Sequence, residues 1–211
     1  MHDEYLYDGM VAQNTSETFA MTNFEISDLN VERLANVVSF SSAAQSVYNS
    51  YRPTPYSSNS RYTTYTADDS EAYSVVEDYI ESHPNYRSIY NIDNLTDRVN
   101  LILEVKHDIQ TEHVYDINFK YDSATDPIVS FFQQKRGICN NFASAAVMVY
   151  RHLGIPARFV VGYGTNSNGG TTTVTARRAH AWTEVWIDGL GWVTVDATGY
   201  SDGDMLDDRT V

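Results

Sequence analysis

A single cysteine, Cys139, lies two residues after Gly137 and opens a stretch with helical spacing. Phe142, Ala145, Ala146, Val149 and Leu153 fall on one face of that stretch. At a helix N-terminus the unpaired backbone N–H groups and the helix dipole favour thiolate over thiol. Gly137 leaves room for a second chain to approach. His180 opens a later strand-like run, and Asp196 lies inside a run rich in Val and Trp. A carboxylate among apolar strand residues needs a partner. Each of the three has a plainer reading alone: a buried helix cysteine, a locally bonded histidine, a turn aspartate. Together they are the parts of a nucleophilic acyl-transfer site: a thiolate, an imidazole that takes and returns its proton, and a carboxylate that orients the imidazole. The other histidines are His2, His83, His107, His113 and His152, and none has a comparable setting. No further His/Cys cluster has ligand spacing, so neither a metal nor an organic cofactor is implied.

Several elements must position these residues. A helix is predicted from Asp68 or Asp69 to about Ser82, stopping before Pro84. Another starts at Asn94 or Thr96 and buries Val99, Leu101, Ile102, Val105 and Ile109. Asp126 before Pro127 reads as an N-cap with proline at the first helical position, opening a short helix through Phe132. The Cys139 helix runs from about 138 to 153, with Gly154 as its stop and Pro156 barring continuation. Strands follow at 157–163, 179–187 and 192–197, with a loop at 165–173 containing Gly169-Gly170. Nearer the N-terminus, 29–47 has helical spacing, 51–60 reads as extended and 61–66 has strand composition.

The hairpin must satisfy a register condition. A two-residue loop pairing Asp188 with Gly191 would turn His180 and Asp196 to opposite faces. A three-residue loop, 188–190, pairs Ile187 with Gly191 and Trp182 with Asp196. His180 then lies diagonal to Asp196 on one face, within side-chain reach. The three-residue register, or a bulge of the same effect, is therefore expected.

The segments Gly137-Ile138-Cys139-Asn140-Asn141-Phe142-Ala143, Gly154-Ile155-Pro156-Ala157-Arg158, Gly162-Tyr163, His180-Ala181-Trp182-Thr183-Glu184-Val185, Gly191-Trp192 and Asp196-Ala197-Thr198 occur in that order. As a set they resemble the transglutaminase-like core family, itself similar in architecture to papain-like cysteine peptidases. The resemblance is firm over about 126–198 and extends plausibly from Leu95. Ala197 departs from the proline that many members carry there. The resemblance implies an α+β fold in which the Cys-bearing helix packs on an antiparallel sheet, with Cys139, His180 and Asp196 as the triad. The backbone N–H of Cys139 is one expected oxyanion donor. The second candidates are Gln133, which has the spacing of the papain-type glutamine, and Tyr115, from the segment preceding the Cys helix in the family layout. Trp182 and Trp192 match family positions and are expected to support the groove or core. Glu184 is expected to pair with a basic residue such as Arg158. Arg177-Arg178 could steer an acidic substrate, though a solvated loop pair is the plainer reading.

Composition bounds the rest. The 211 residues carry 14 Lys+Arg against 28 Asp+Glu, a net charge of -14, which disfavours nucleic acid and anionic membrane surfaces. Hydrophobic residues at 42% suffice for a real core. No apolar run reaches transmembrane length, and no signal or anchor pattern is present in this segment. The expected organisation is an N-terminal, partly extended elaboration over 1–90, a catalytic core over 91–200 and an acidic tail over 201–211. The expected partner is a protein or peptide substrate, cell-wall or surface associated, in an extracytoplasmic or cell-surface bacterial setting. Acyl transfer to an amine or water is the leading expectation. A cysteine peptidase or amidase is the alternative on the same triad, and a non-catalytic surface-binding module the alternative of another class.

Overall fold

The computed structural model describes residues 3–7, 62, 70–120, 124–166, 173–188 and 191–199. Helix α1 spans Glu71–Glu81 and is capped by Ser70, whose side chain accepts from the Tyr73 N–H at 3.0 Å. The cap therefore falls one or two residues beyond the expected aspartates. A short helix α2 (Asn85–Ser88) follows Pro84. Helix α3 spans Leu95–Glu112, and Asn94 caps it by accepting from the Asp97 N–H at 3.1 Å. Helix α4 covers Pro127–Gln134, with Asp126 accepting from the Ile128 N–H at 2.8 Å. It runs two residues past Phe132 and ends at Lys135 in the left-handed conformation (φ 52°). Helix α5 spans Cys139–His152. Gly154 (φ 77°) turns the chain out of it, and the Ile155 N–H reaches back to the Tyr150 carbonyl at 2.8 Å.

Two sheets accompany the helices. The larger has four antiparallel strands in the order β1-β4-β5-β6: β1 (Asp3–Tyr7), β4 (Ala157–Asn166), β5 (Ala179–Ile187) and β6 (Gly191–Val195). The smaller is a parallel pair, β2 (Val114–Tyr115) and β3 (Arg136–Gly137). The pattern did not indicate β1, β2 or β3, because two-residue ladders and isolated edges leave no periodicity to read. β4 extends through 165 and 166, where the sequence predicts a loop, and a 3-10 turn, Ala176–Arg178, leads into β5. The expectations for 29–47, 51–60 and 201–211 lie outside the described residues. Within 61–66 only Tyr62 is described, and its backbone is helical, not extended.

One face of the large sheet packs on α5. Ala181, Val185, Ile187, Val193 and Val195 are fully buried there. Thr183 on the same face donates from Oγ1 to the Ala143 carbonyl of α5 at 3.0 Å. The core continues through Phe142, Val149 and Tyr150 of α5 to Val99, Ile102 and Ile109 of α3, Phe131 of α4 and Val76 and Ile80 of α1. Burying each such side chain stabilises the fold by about 1.5–3 kcal/mol. The cluster thus draws on residues either side of position 91.

Buried polar contacts tie the hairpin to the helices. Arg98 of α3 is buried, and its Nη2 donates to the Trp186 carbonyl at 2.9 Å. Trp186 Nε1 in turn donates to Asp188 Oδ1 at 2.8 Å. These bonds fix the β5–β6 turn where the chain reverses.

Candidate active site

Cys139 is the first residue of α5, presented by a tight local structure. The Ile138 N–H donates to Asn141 Oδ1 at 3.1 Å, closing the first turn from the inside. Gly137 permits this. A Cβ there would stand 2.7 Å from Asn141 Cβ, too close for either backbone to keep its place. Gly137→Ala is therefore expected to displace the helix start and slow Cys139 alkylation by about tenfold or more, the cost of an ångström-scale misplacement. An alkylation rate equal to wild type, in a variant of unchanged circular dichroism, would refute that.

The β5–β6 ladder pairs Ile187 with Gly191, Trp186 with Trp192 and Thr183 with Val195. This is the three-residue-loop register. Its next position sets Asp196 opposite Trp182, on the His180 face. His180 Nε2 lies 2.7 Å from Asp196 Oδ2, and the two side chains are 8% and 22% exposed. Asp196 Oδ1 accepts from the Thr198 N–H at 3.0 Å. The segment beyond is held against α3, where Gln110 Nε2 donates to the Thr198 carbonyl at 3.0 Å. A Cβ on Gly199 would meet the His113 carbonyl at 2.7 Å, so only glycine fits this close approach.

Electrostatics couple the three groups. Burial pushes the Cys139 thiol up, but a hydrogen bond to His180, the charge of His180 and the N–H groups of Ala181 and Asn140 outweigh it and hold the thiol below its ordinary value. Burial pushes His180 down, while its bonds to Asp196 and Cys139 raise it to about 9. Asp196 is raised by burial, yet its bond to His180, the His180 charge and Thr198 bring it to about 2. These pulls favour the thiolate–imidazolium form of the Cys139–His180 pair beside an ionised Asp196. With Nε2 directed at Asp196, Nδ1 is the ring nitrogen left for the sulfur. Such a set can attack a carbonyl and then protonate a leaving nitrogen.

The remaining candidates separate. Tyr115 pairs with Gly137 across the β2–β3 ladder, and its ring lies 6.5 Å from that of Phe142, one turn into α5. Gln133 is exposed on α4, whose buried face is formed by Val129, Ser130, Phe131 and Phe132. Trp182 is fully buried beside His180, its ring 6.3 Å away in a stacked arrangement. Trp192 sits further along the sheet, with the Arg158 guanidinium 4.2 Å over its ring. Arg158 Nε donates to Glu184 Oε2 at 2.7 Å, the pairing expected for Glu184. The N–H of Ala181 and the first-turn bond of Asn141 were missed from the sequence. Asparagine at the third helical position was the available signal for the second. Among the described residues no group of three or more His, Cys, Asp or Glu could hold a metal ion.

Residues 89–197 match the transglutaminase-like superfamily, and the chain belongs to that family. A stretch of 74 residues is 45% identical to the uncharacterized protein YebA of Bacillus subtilis (strain 168), covering 32% of this chain and 10% of that one. A stretch of 70 residues is 41% identical to the protein-glutamine gamma-glutamyltransferase of Pseudomonas aeruginosa, again covering 32% of this chain and 10% of the relative. The chain thus spans a small part of these relatives. Among solved structures, the periplasmic domain of TgpA from Pseudomonas aeruginosa bound to ethylmercury is similar at a TM-score of 0.51 and 23% identity, over 65% of this chain and 47% of that one. The fold is α+β of the transglutaminase and papain type, as the sequence implied. No helix of the described residues is long and apolar enough to cross a membrane.

Proposed function

We propose that the chain carries out thiol-dependent acyl transfer on protein or peptide amides, with Cys139, His180 and Asp196 as a catalytic triad. The observation that carries this reading is the 2.7 Å His180–Asp196 bond, on a histidine whose influence holds the helix-terminal thiol below its ordinary value. The thiolate attacks the amide carbonyl carbon and forms the S–C bond. The Cys139 N–H and the Tyr115 hydroxyl hold the oxyanion. Tyr115 is preferred to Gln133 because its strand runs beside Gly137. The C–N bond breaks as the His180 proton passes to the leaving nitrogen, which departs as ammonia or amine. An acceptor amine then attacks the thioester, gives its proton to His180 and releases the thiolate. Support for the amine acceptor comes from the relative named a protein-glutamine gamma-glutamyltransferase. Water in its place would give hydrolysis.

The core proposed for this chemistry is 91–200, with 1–90 as an elaboration and 201–211 as a tail. An extracytoplasmic setting is proposed, in keeping with the periplasmic domain of similar fold. The test is incubation with a glutamine peptide and a labelled primary amine. Amine incorporation that disappears in Cys139→Ala is expected. Ammonia or cleaved peptide without incorporation would replace the transferase with a hydrolase. An inert Cys139 towards iodoacetamide would leave only a binding module.

A further inference from the structure

Thr198 is 6% exposed, and its side-chain oxygen is wholly buried. Its N–H donates to Asp196 Oδ1 at 3.0 Å, which closes a turn around the carboxylate. Its carbonyl accepts from Gln110 Nε2 of α3 at 3.0 Å. Gly199 follows, packed so closely that a Cβ would stand 2.7 Å from the His113 carbonyl and 3.0 Å from the Gln110 carbonyl. The backbone around the Thr198 side chain is thus anchored to the triad on one side and to α3 on the other.

One atom of this turn is left over. Thr198 Oγ1 makes no hydrogen bond of ordinary distance and angle. A buried hydroxyl in that state is unfavourable, and valine would fill the same space without the penalty. The hydroxyl nevertheless lies near enough to Asp196 to act on it. Burial raises the Asp196 carboxyl, the bond and charge of His180 lower it, and the hydroxyl and N–H of Thr198 lower it further. A carboxylate oxygen accepts more than one donor, so Oδ1 has room for an O–H beside the N–H.

The demand for a second donor changes through the reaction. While His180 is an imidazolium, its charge offsets that of Asp196 across 2.7 Å. Once that proton has passed to the leaving nitrogen, Asp196 keeps its charge beside a neutral ring. A carboxylate largely out of water is costly unless donors share its charge. Of the titratable groups here, Asp196 and Cys139 act on His180, and His180 acts on Asp196. At the α3 end of the turn, burial brings His113 down to about 4, which leaves it neutral, and Lys106 Nζ meets Gln110 Oε1 at 3.5 Å.

We propose that Thr198 is a positioning residue of the triad, whose hydroxyl turns onto Asp196 Oδ1 and donates to the carboxylate while His180 is neutral. The hydroxyl keeps its own proton throughout. The proposal rests on the acyl-transfer reading for the cycle in which His180 changes charge, but its effect on His180 is measurable without turnover. Removing the donor destabilises the carboxylate most when the ring is neutral, so His180 must then hold its proton more tightly. Loss of orientation alone would part the imidazolium from its counter-charge and act in the opposite direction.

The test compares Thr198→Val with Thr198→Ser. Valine keeps the shape and the backbone N–H and removes the hydroxyl. The His180 titration, followed by NMR in the substrate-free protein, is expected to move to higher pH in Thr198→Val, by about three- to tenfold in its acid dissociation constant. With a glutamine peptide and a primary amine, kcat should fall by about three- to tenfold at constant KM, because His180 becomes a weaker acid toward the leaving nitrogen. Thr198→Ser should recover most of both. A His180 titration that stays in place or moves to lower pH in Thr198→Val overturns the proposal. So does a serine variant that matches valine, or a melting temperature lowered equally in both, since either means that Thr198 only fills space. Absence of turnover with every peptide in the wild type sinks the acyl-transfer reading, and the substrate-free titration then still decides the role of the hydroxyl.

Discussion

His180→Ala is expected to lower acyl transfer by about two to four orders of magnitude, the usual worth of a positioned general acid–base. It should also change the pH at which Cys139 becomes reactive. In the wild type, burial opposes the thiolate, and the bond and charge of His180 overcome it. Removing the imidazole leaves burial without its main opponent, so the thiol pKa must rise. Iodoacetamide alkylation of the wild type should therefore reach its plateau below the ordinary thiol range. In His180→Ala the rise should move to higher pH. Turnover adds a second limb. The imidazolium must give its proton to the leaving nitrogen, so wild-type activity should fall as pH passes about 9, where His180 loses it. The two limbs belong to the coupled pair and not to either group alone. An alkylation profile identical in wild type and His180→Ala would show that the histidine does not set the state of the sulfur.

Helices α1, α3, α4 and α5 and the β5–β6 hairpin were legible because each has a local cause. Asn94 and Asp126 cap where their side chains can accept a backbone N–H, and Gly154 stops α5 because it takes φ 77° without strain. The hairpin register followed from a requirement on two side chains, since a one-residue slip would part His180 from Asp196. Other features were hidden for equally physical reasons. Ser70 caps α1 in place of Asp68 or Asp69, a choice that depends on tertiary packing as much as on residue type. The parallel β2–β3 pair joins residues far apart in sequence over two positions, too short for any alternation. Gln133 had a suitable spacing from Cys139, but spacing along a chain says nothing about which face of α4 a residue occupies. Tyr115 comes to lie across from Gly137, two residues before Cys139, because of that long-range ladder. The exposure of Phe159 and Val161 on β4 was also unreadable, because alternation marks a strand face without saying whether a helix covers its whole length.

Asp196→Asn is expected to cost nearly as much as loss of the histidine, although it keeps size and shape. Both carboxylate oxygens of Asp196 are occupied: Oδ2 faces His180 Nε2 and Oδ1 accepts from the Thr198 N–H. Each neighbour donates, and an asparagine offers one acceptor oxygen. If its amide nitrogen turns to His180, Nε2 must accept, which places the ring proton on Nδ1 and prevents that nitrogen from taking the thiol proton. If it turns to Thr198, a backbone N–H loses its partner, a penalty of about 1–3 kcal/mol where burial is complete. Either way the negative charge that helps raise His180 to about 9 is gone. Turnover should drop by about two to four orders of magnitude, with KM nearly unchanged because Asp196 contacts the imidazole and not the substrate. The alkaline limb should move to lower pH, the direction required when a cation loses its counter-charge. Thermal unfolding separates this from mere damage: the variant should remain folded at assay temperature, since the lost contact is small beside the core formed by α1, α3, α4 and α5. An alkaline limb that stays near pH 9 in Asp196→Asn would mean that burial and Cys139 alone set the histidine, and that the carboxylate is a structural anchor for the segment after β6.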